Sequence, residues 1–248
     1  MPDSIYGDAQ GYPLGFSWSF DLGSGVVSWV GSGPPDVTTL RLVRSVRSRS
    51  GAGHVPTWAY STTVGAHVRL ESGLEHDLFR DLDRDPRVVW LASQPARVAA
   101  RRRGAKRPGL VPDLLSLAQD GTVTLWAVRP ADRQDDKFLF EVEETTAACA
   151  EFGWTHNVFA GMEVTRRANL MWLDGFRQQM PWYRDALTRL RHVKGLVLPL
   201  SDVLEVDAGQ GHVLSAVWYA LRQGALEADL DAPFTTASLL RFVEVEEA

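Results

Sequence analysis

Apolar and polar positions change period several times along this 248-residue chain, and each change predicts an element. FSWSF (16–20) and VVSWV (26–30) flank DLGSG, the pattern of a hairpin. TTLRLVRSV (38–46) alternates as a strand does. From Val68 the period lengthens: Leu70, Leu74 and Leu78 recur every four residues, with Phe79 and Leu82 beside them, so a helix is expected to start near Val68. It ends at Arg-Asp-Pro, because the residue before a proline disfavours α geometry. RVVWLAS (87–93) reads as a strand and ARVAARRR (96–103) as its hairpin partner. GLVPDLLSL and GTVTLWAV are two more strands, joined through Asp120-Gly121, a strong turn signal. Phe138, Val142, Thr145, Cys149 and Phe152 form one apolar helical face, with Gly153 as C-cap, and WTHNVF (154–159) is a final strand. Helix, three or four strands, helix and strand imply a mixed sheet flanked by helices.

Beyond residue 175 the texture changes. YRDALTRLRHV is helical, and LPLSDVLEV with GHVLSAVWYALRQG reads as a helix-turn-helix pair. The β-tending segment that follows suggests a small winged-helix-like domain. The expected organisation is a β-rich N-terminal extension (1–60), a mixed α/β domain (61–175) and an acidic, mostly helical domain (176–248).

The strand pair around the Asp-Gly turn carries candidate chemistry. Pro112-Asp113 opens one strand, and Arg129-Pro130 closes the next. Many metal-dependent nucleases use a related layout: a helix Glu, the Asp of Pro-Asp, an acid on the next strand and a cation two residues later. Residues two apart on a strand share a face, so these groups converge. Phosphodiester hydrolysis needs such hard oxygen ligands for Mg²⁺ or Mn²⁺ and a cation near the phosphate. Mapped here, Glu75 and Asp113 are ligands, the Val128 carbonyl is a third, and Arg129 is the cation. The strand-acid position holds Ala127. Losing a carboxylate beside a dication removes about 4 kcal/mol per unit-charge pair at ~4 Å and an effective dielectric of ~20, roughly doubled for a divalent ion. Glu141, Glu144 and Glu71 are candidate substitute acids. Arginine keeps the charge of the usual lysine but stays protonated, so it cannot act as a base. Trp126 alternates to the opposite strand face, toward core.

Charge and composition refine this picture. The net charge is −5, yet residues 201–248 hold nine acids and two basic residues. That acidic tail disfavours contact with phosphate and favours a protein partner. Arg97, Arg101, Arg102, Arg103, Lys106 and Arg107 form a basic cluster suited to phosphate, with Gln94 just before it, and Arg41, Arg44, Arg47 and Arg49 form a second. One cysteine, Cys149, excludes an intrachain disulfide and a multi-cysteine zinc site. The six histidines show no zinc spacing, and no phosphate-cradling glycine loop is present. No signal pattern or apolar run long enough for a membrane appears, so a cytoplasmic, non-membrane protein is expected.

The segment 62–98 resembles the entry to the nuclease domain of the TnsA family, endonuclease subunits of heteromeric, Tn7-like transposases. The resemblance lies in Ser72 to Glu75, Asp85-Pro86, Gln94-Pro95, Pro112-Asp113, Arg129-Pro130 and Gly153-Trp154, in that order over roughly residues 52–175. It implies a restriction-endonuclease-like fold and a Mg²⁺- or Mn²⁺-dependent endonuclease that cuts DNA at transposon ends. It also implies two partner proteins, a DDE-type transposase and an AAA+ ATPase regulator, the latter met through the acidic C-terminal domain. The alternative, favoured by Ala127, is a catalytically degenerate nuclease-fold subunit that binds DNA or bridges transposase and regulator.

Overall fold

A computed structural model of the chain describes residues 15–43, 56–101 and 109–243. It is a mixed α/β structure whose contacts divide it into two compact units. The first holds residues 1–59, 67–75 and 89–160, and the second holds 60–66, 76–88 and 161–248.

In the first unit, β1 (Phe16–Asp21) and β2 (Val26–Ser28) form the expected hairpin. The segment read as a third strand, 38–46, instead begins in a single 3-10 turn at Val37–Thr39, capped by the Asp36 side chain. That cap competes with the sheet for the local N–H groups. β3 (Thr57–Ser61) and β4 (Ala66–Leu70) make a two-stranded sheet. The helix expected from Val68 therefore starts later, as α1 (Gly73–Arg84). Val68 and Leu70 are buried while His67 is exposed and Arg69 is half-buried between them, which is strand alternation. α1 passes from the first unit into the second after Glu75.

β5 (Val88–Ser93), β7 (Leu114–Ala118), β8 (Val123–Val128) and β9 (Thr155–Phe159) lie side by side in that order, with α2 (Asp136–Ala150) between β8 and β9 in the chain. β7 and β8 are antiparallel, and β8 and β9 are parallel. β6 (Arg97–Ala100) does not return to β5 as expected but pairs with β1, Trp18 opposite Val98. Two features explain the departure. Gln94 sits at φ +44, which breaks the strand after β5. Trp18 and Val98 then both turn into an aromatic core with Phe20, Leu115, Leu125 and Trp154. Trp18 meets Trp154 edge-on at 5.5 Å. Each such side chain stabilises the fold by roughly 1.5–3 kcal/mol through burial.

In the second unit α3 (Val164–Leu173), a helix not expected from the sequence, precedes α4 (Tyr183–Lys194), β10 (Val197–Pro199), α5 (Leu200–Asp207) and α6 (His212–Arg222). β11 (Leu226–Glu227) and β12 (Leu239–Phe242) complete a three-stranded antiparallel sheet ordered β10-β12-β11. Leu173, Leu190, Leu198, Val217 and Leu221 lie in its core. Here the later part of α1 contributes ions. Asp83 accepts from Ser61 Oγ (2.5 Å) and Arg222 Nη2 (2.5 Å), with both ionic side chains almost wholly buried. Among the described residues no helix is long and apolar enough to cross a membrane.

Candidate active site

The residues singled out by pattern come from three places in the first unit: the turn before α1, the start of β7, and the end of β8. Ser72 caps α1, and its Oγ accepts the Glu75 N–H at 3.1 Å and donates back to Glu75 Oε1 at 2.9 Å. Glu75 Oε2 accepts the Glu71 N–H at 2.9 Å. This is a variant of the capping box: Ser72 answers the Glu75 backbone, while the Glu75 carboxylate takes the Ser72 hydroxyl and the N–H of the residue before it. It holds the Glu75 carboxylate, 6% exposed, in one place.

Asp113 stands between neighbouring strands. Its N–H donates to the Trp126 carbonyl and its carbonyl accepts from the Gln94 N–H, each at 2.9 Å. Its side chain does what a backbone acceptor does elsewhere: Oδ2 takes the Val128 N–H at 2.7 Å. The Val128 group that reaches Asp113 is thus the N–H. Burial pushes the Asp113 carboxyl up to about 7, and the charges of Glu75 and Glu71 push the same way. The Val128 hydrogen bond and Arg129 pull in the opposite direction without prevailing. Asp113, Glu71, Glu75 and Arg129 therefore share one electrostatic neighbourhood.

Arg129 follows β8, and its guanidinium lies over the Phe138 ring of α2, 4.7 Å from the centroid. That stacking holds a cation while leaving its edge donors for a phosphate. Ala127, one β8 step earlier, brings no polar group. Trp126 is half-buried and donates from Nε1 to Ser116 Oγ at 2.9 Å, outside the aromatic core.

The candidate substitute acids separate. Glu71 lies by Asp113, though it precedes α1 rather than sitting on it. Glu141 faces Lys137 at 3.6 Å along α2. Glu144 is on the same helix, and the glutamates that lead in raising Asp113 are Glu75 and Glu71. Arg69 is a neighbour that the sequence reading missed: its Nη2 is 4.0 Å from Glu71 Oε1. Strand alternation puts residues 69 and 71 on one side, a signal hidden by reading 68 onward as helix.

Gln94 is 4% exposed, its Oε1 has no hydrogen-bond partner among the described residues, and its backbone is left-handed. Strain and an unsatisfied buried polar atom together cost a few kcal/mol and concentrate at functional sites. Arg97 and Arg101 are exposed on and just after β6. Arg102, Arg103, Lys106 and Arg107, like Arg44, Arg47 and Arg49, lie outside the described residues.

Among the described residues no group of three or more His, Cys, Asp or Glu is placed to hold a metal ion. A catalytic Mg²⁺ does not require enclosure, because one or two carboxylates plus water and substrate phosphates suffice. Asp113 and Glu71 bring hard oxygens of the kind such an ion takes, while both Glu75 oxygens are engaged at the helix start.

No protein-family model matches the chain, and no curated protein matches it in sequence.

Proposed function

We propose that the protein is a metal-dependent DNA endonuclease subunit of the TnsA kind. The observation that carries this reading is the convergence of Glu71, Glu75 and Arg129 on Asp113, whose carboxyl is pushed up to about 7 by burial first and by the two glutamates next, against the pull of Arg129. Further support comes from element order. α1, β5, β7, β8, α2 and β9, with a sheet ordered β5-β7-β8-β9 and β9 parallel to β8, are compatible with the proposed restriction-endonuclease-like plan. The likeness to the TnsA family itself rests on the short motifs.

Asp113 and the Glu71–Glu75 pair would hold Mg²⁺ or Mn²⁺, which when bound polarises the scissile phosphate and lowers the pKa of water. Asp113 must give up its proton to do so. Arg129, fixed over Phe138, binds the phosphate and stabilises the charge that grows on it. Gln94 offers an amide beside Asp113 for the same phosphate or its water. Arg97 and Arg101 hold flanking DNA backbone.

The second unit reads as winged-helix-like, from α4, β10, α5, α6, β11 and β12. α6 is the helix such a domain would lay in a DNA groove. Seven of its eleven residues are buried, Arg222 among them on Asp83. A helix so committed to its own core cannot read bases, so this unit faces protein. A DDE-type transposase and an AAA+ regulator are the partners this reading supplies.

Plasmid nicking in Mn²⁺ tests the proposal. Activity that Asp113→Asn abolishes and Ala127→Asp raises is the expected result. A competing reading, a nuclease-fold subunit without catalysis, is favoured by Ala127 and by the engagement of both Glu75 oxygens in the helix cap. No nicking by wild type or Ala127→Asp would leave that reading standing.

A further inference from the structure

The second unit carries an open, mostly apolar groove of about 750 Å³. One wall is α3, where Val164, Ala168 and Trp172 recur every four residues and so line one helix face. Trp218 of α6 and the neighbouring Pro233 and Phe234 line it as well. Val164 is 77% exposed and Trp172 54%. Large apolar side chains gathered at an open groove mark an interaction site rather than chance exposure.

We propose that this groove receives an amphipathic helical segment of a partner protein, apolar on one face and basic along its flanks. Three observations commit the occupant. First, the walls are already set. Asn169 Nδ2 donates to the Leu230 and Ala232 carbonyls (2.9 and 2.8 Å), tying the loop before Pro233 to α3. Trp172 is held edge-on against Trp218 with centroids 6.0 Å apart. A preformed groove loses little entropy on binding.

Second, part of the backbone beside Pro233 and Phe234 is already paired. Thr235 N–H donates to Ser238 Oγ, Ser201 N–H takes the Thr236 carbonyl, and Leu200 N–H takes that of Ser238. An added strand needs open donors and acceptors. A helix satisfies its own backbone and brings apolar anchors at i, i+3, i+4 and i+7.

Third, the surroundings are acidic. Glu163 is exposed at the start of α3, and Asp229 and Asp231 are exposed on the loop that Asn169 pins. Arg166 on α3 is taken by Asp81 (2.7 Å) and Asp231 (3.5 Å). With nine acids against two basic residues from 201 to 248, a basic flank is attracted and phosphate is repelled. The proposal needs neither metal nor DNA, so it stands or falls apart from the candidate active site.

The test is panning of the whole protein against a displayed library of peptides about 16 residues long, enough for roughly four helical turns. A peptide of the enriched sequence is then synthesised, and its binding is followed by fluorescence anisotropy. The expected consensus has apolar residues at helical spacing with Lys or Arg between them. Trp172→Ala and Val164→Lys should each weaken binding about tenfold or more, as loss of an anchor does. Glu163→Lys should weaken it by about threefold, and added salt should do the same. Val164 is so exposed that its substitution leaves folding intact even if Trp172→Ala does not. The proposal is overturned by no enrichment, by an acidic or uncharged consensus, or by binding that Val164→Lys leaves unchanged. Enrichment of extended, strand-like sequences also overturns it.

Discussion

Asp113 is the residue on which the site turns. Its carboxyl titrates at about 7 in the fold against 3.8 ordinarily, because burial and two neighbouring glutamates resist its charge. The folded state therefore holds that proton more tightly than the unfolded chain. Stability from this group is full below about pH 4 and is lost as pH rises through 7, by up to roughly 2–4 kcal/mol at about 1.4 kcal/mol per pKa unit. Asp113→Asn should remove that loss, making the variant more stable than wild type at pH 8 and about equal at pH 4. Urea denaturation at both values checks it. Pro112-Asp113 and Arg129 were visible in the sequence because their spacing on two strands is itself the pattern. Glu71 was assigned to the wrong element, and Arg69 was not seen at all. Val68, Leu70, Leu74 and Leu78 satisfy both a period of two and a period near four, so apolar spacing alone could not place the boundary. Ser72 could: a Ser with Glu three residues on marks a helix start.

At the scale of elements, caps decide where helices stand. Asp207, 4% exposed, accepts N–H groups of Gly211 (2.6 Å), Val213 (2.6 Å) and Leu214 (3.2 Å) and so fixes the start of α6. Burial alone would raise its pKa, but those N–H groups hold it below the ordinary carboxylate value. Its contribution is therefore present at neutral pH and lost as pH falls through that depressed value. Asp207→Ala should cost about 2 kcal/mol at pH 7, within the range of charged caps, and progressively less in acid. Thermal melts at pH 7 and pH 3 measure this. Ser72→Ala should cost about 1 kcal/mol and, by freeing Glu75, also weaken any metal binding at Asp113. A cap substitution that lowers stability but leaves metal affinity untouched would show Glu75 to be structural only. β6 shows where local pattern stops. Its hairpin-like spacing after β5 was plain, but its true neighbour β1 lies some eighty residues earlier and is chosen by the aromatic core.

Across the whole molecule, α1, α2 and the strands β5, β7, β8 and β9 were readable in order because each keeps one period, whereas β4 and α3 were not. The division of contacts was not readable. The chain splits within α1, whose first residues belong with the candidate site while Asp77 and Asp83 belong with the second unit. Nothing in a continuous helical pattern announces that split. Buried ions such as Asp83 and Arg222 also escape any reading that looks for apolar stripes. The proposed function gives the two units different partners, DNA for the first and protein for the second. The central claim is that the first unit binds a divalent cation through Asp113. Calorimetric titration of the intact protein with Mn²⁺ at pH 8, for wild type and Asp113→Ala, with and without a short DNA duplex, tests it most directly. The account predicts saturable binding by wild type, tighter with DNA present, and none by Asp113→Ala. Absence of binding by wild type even with DNA, or equal binding by both proteins, contradicts it.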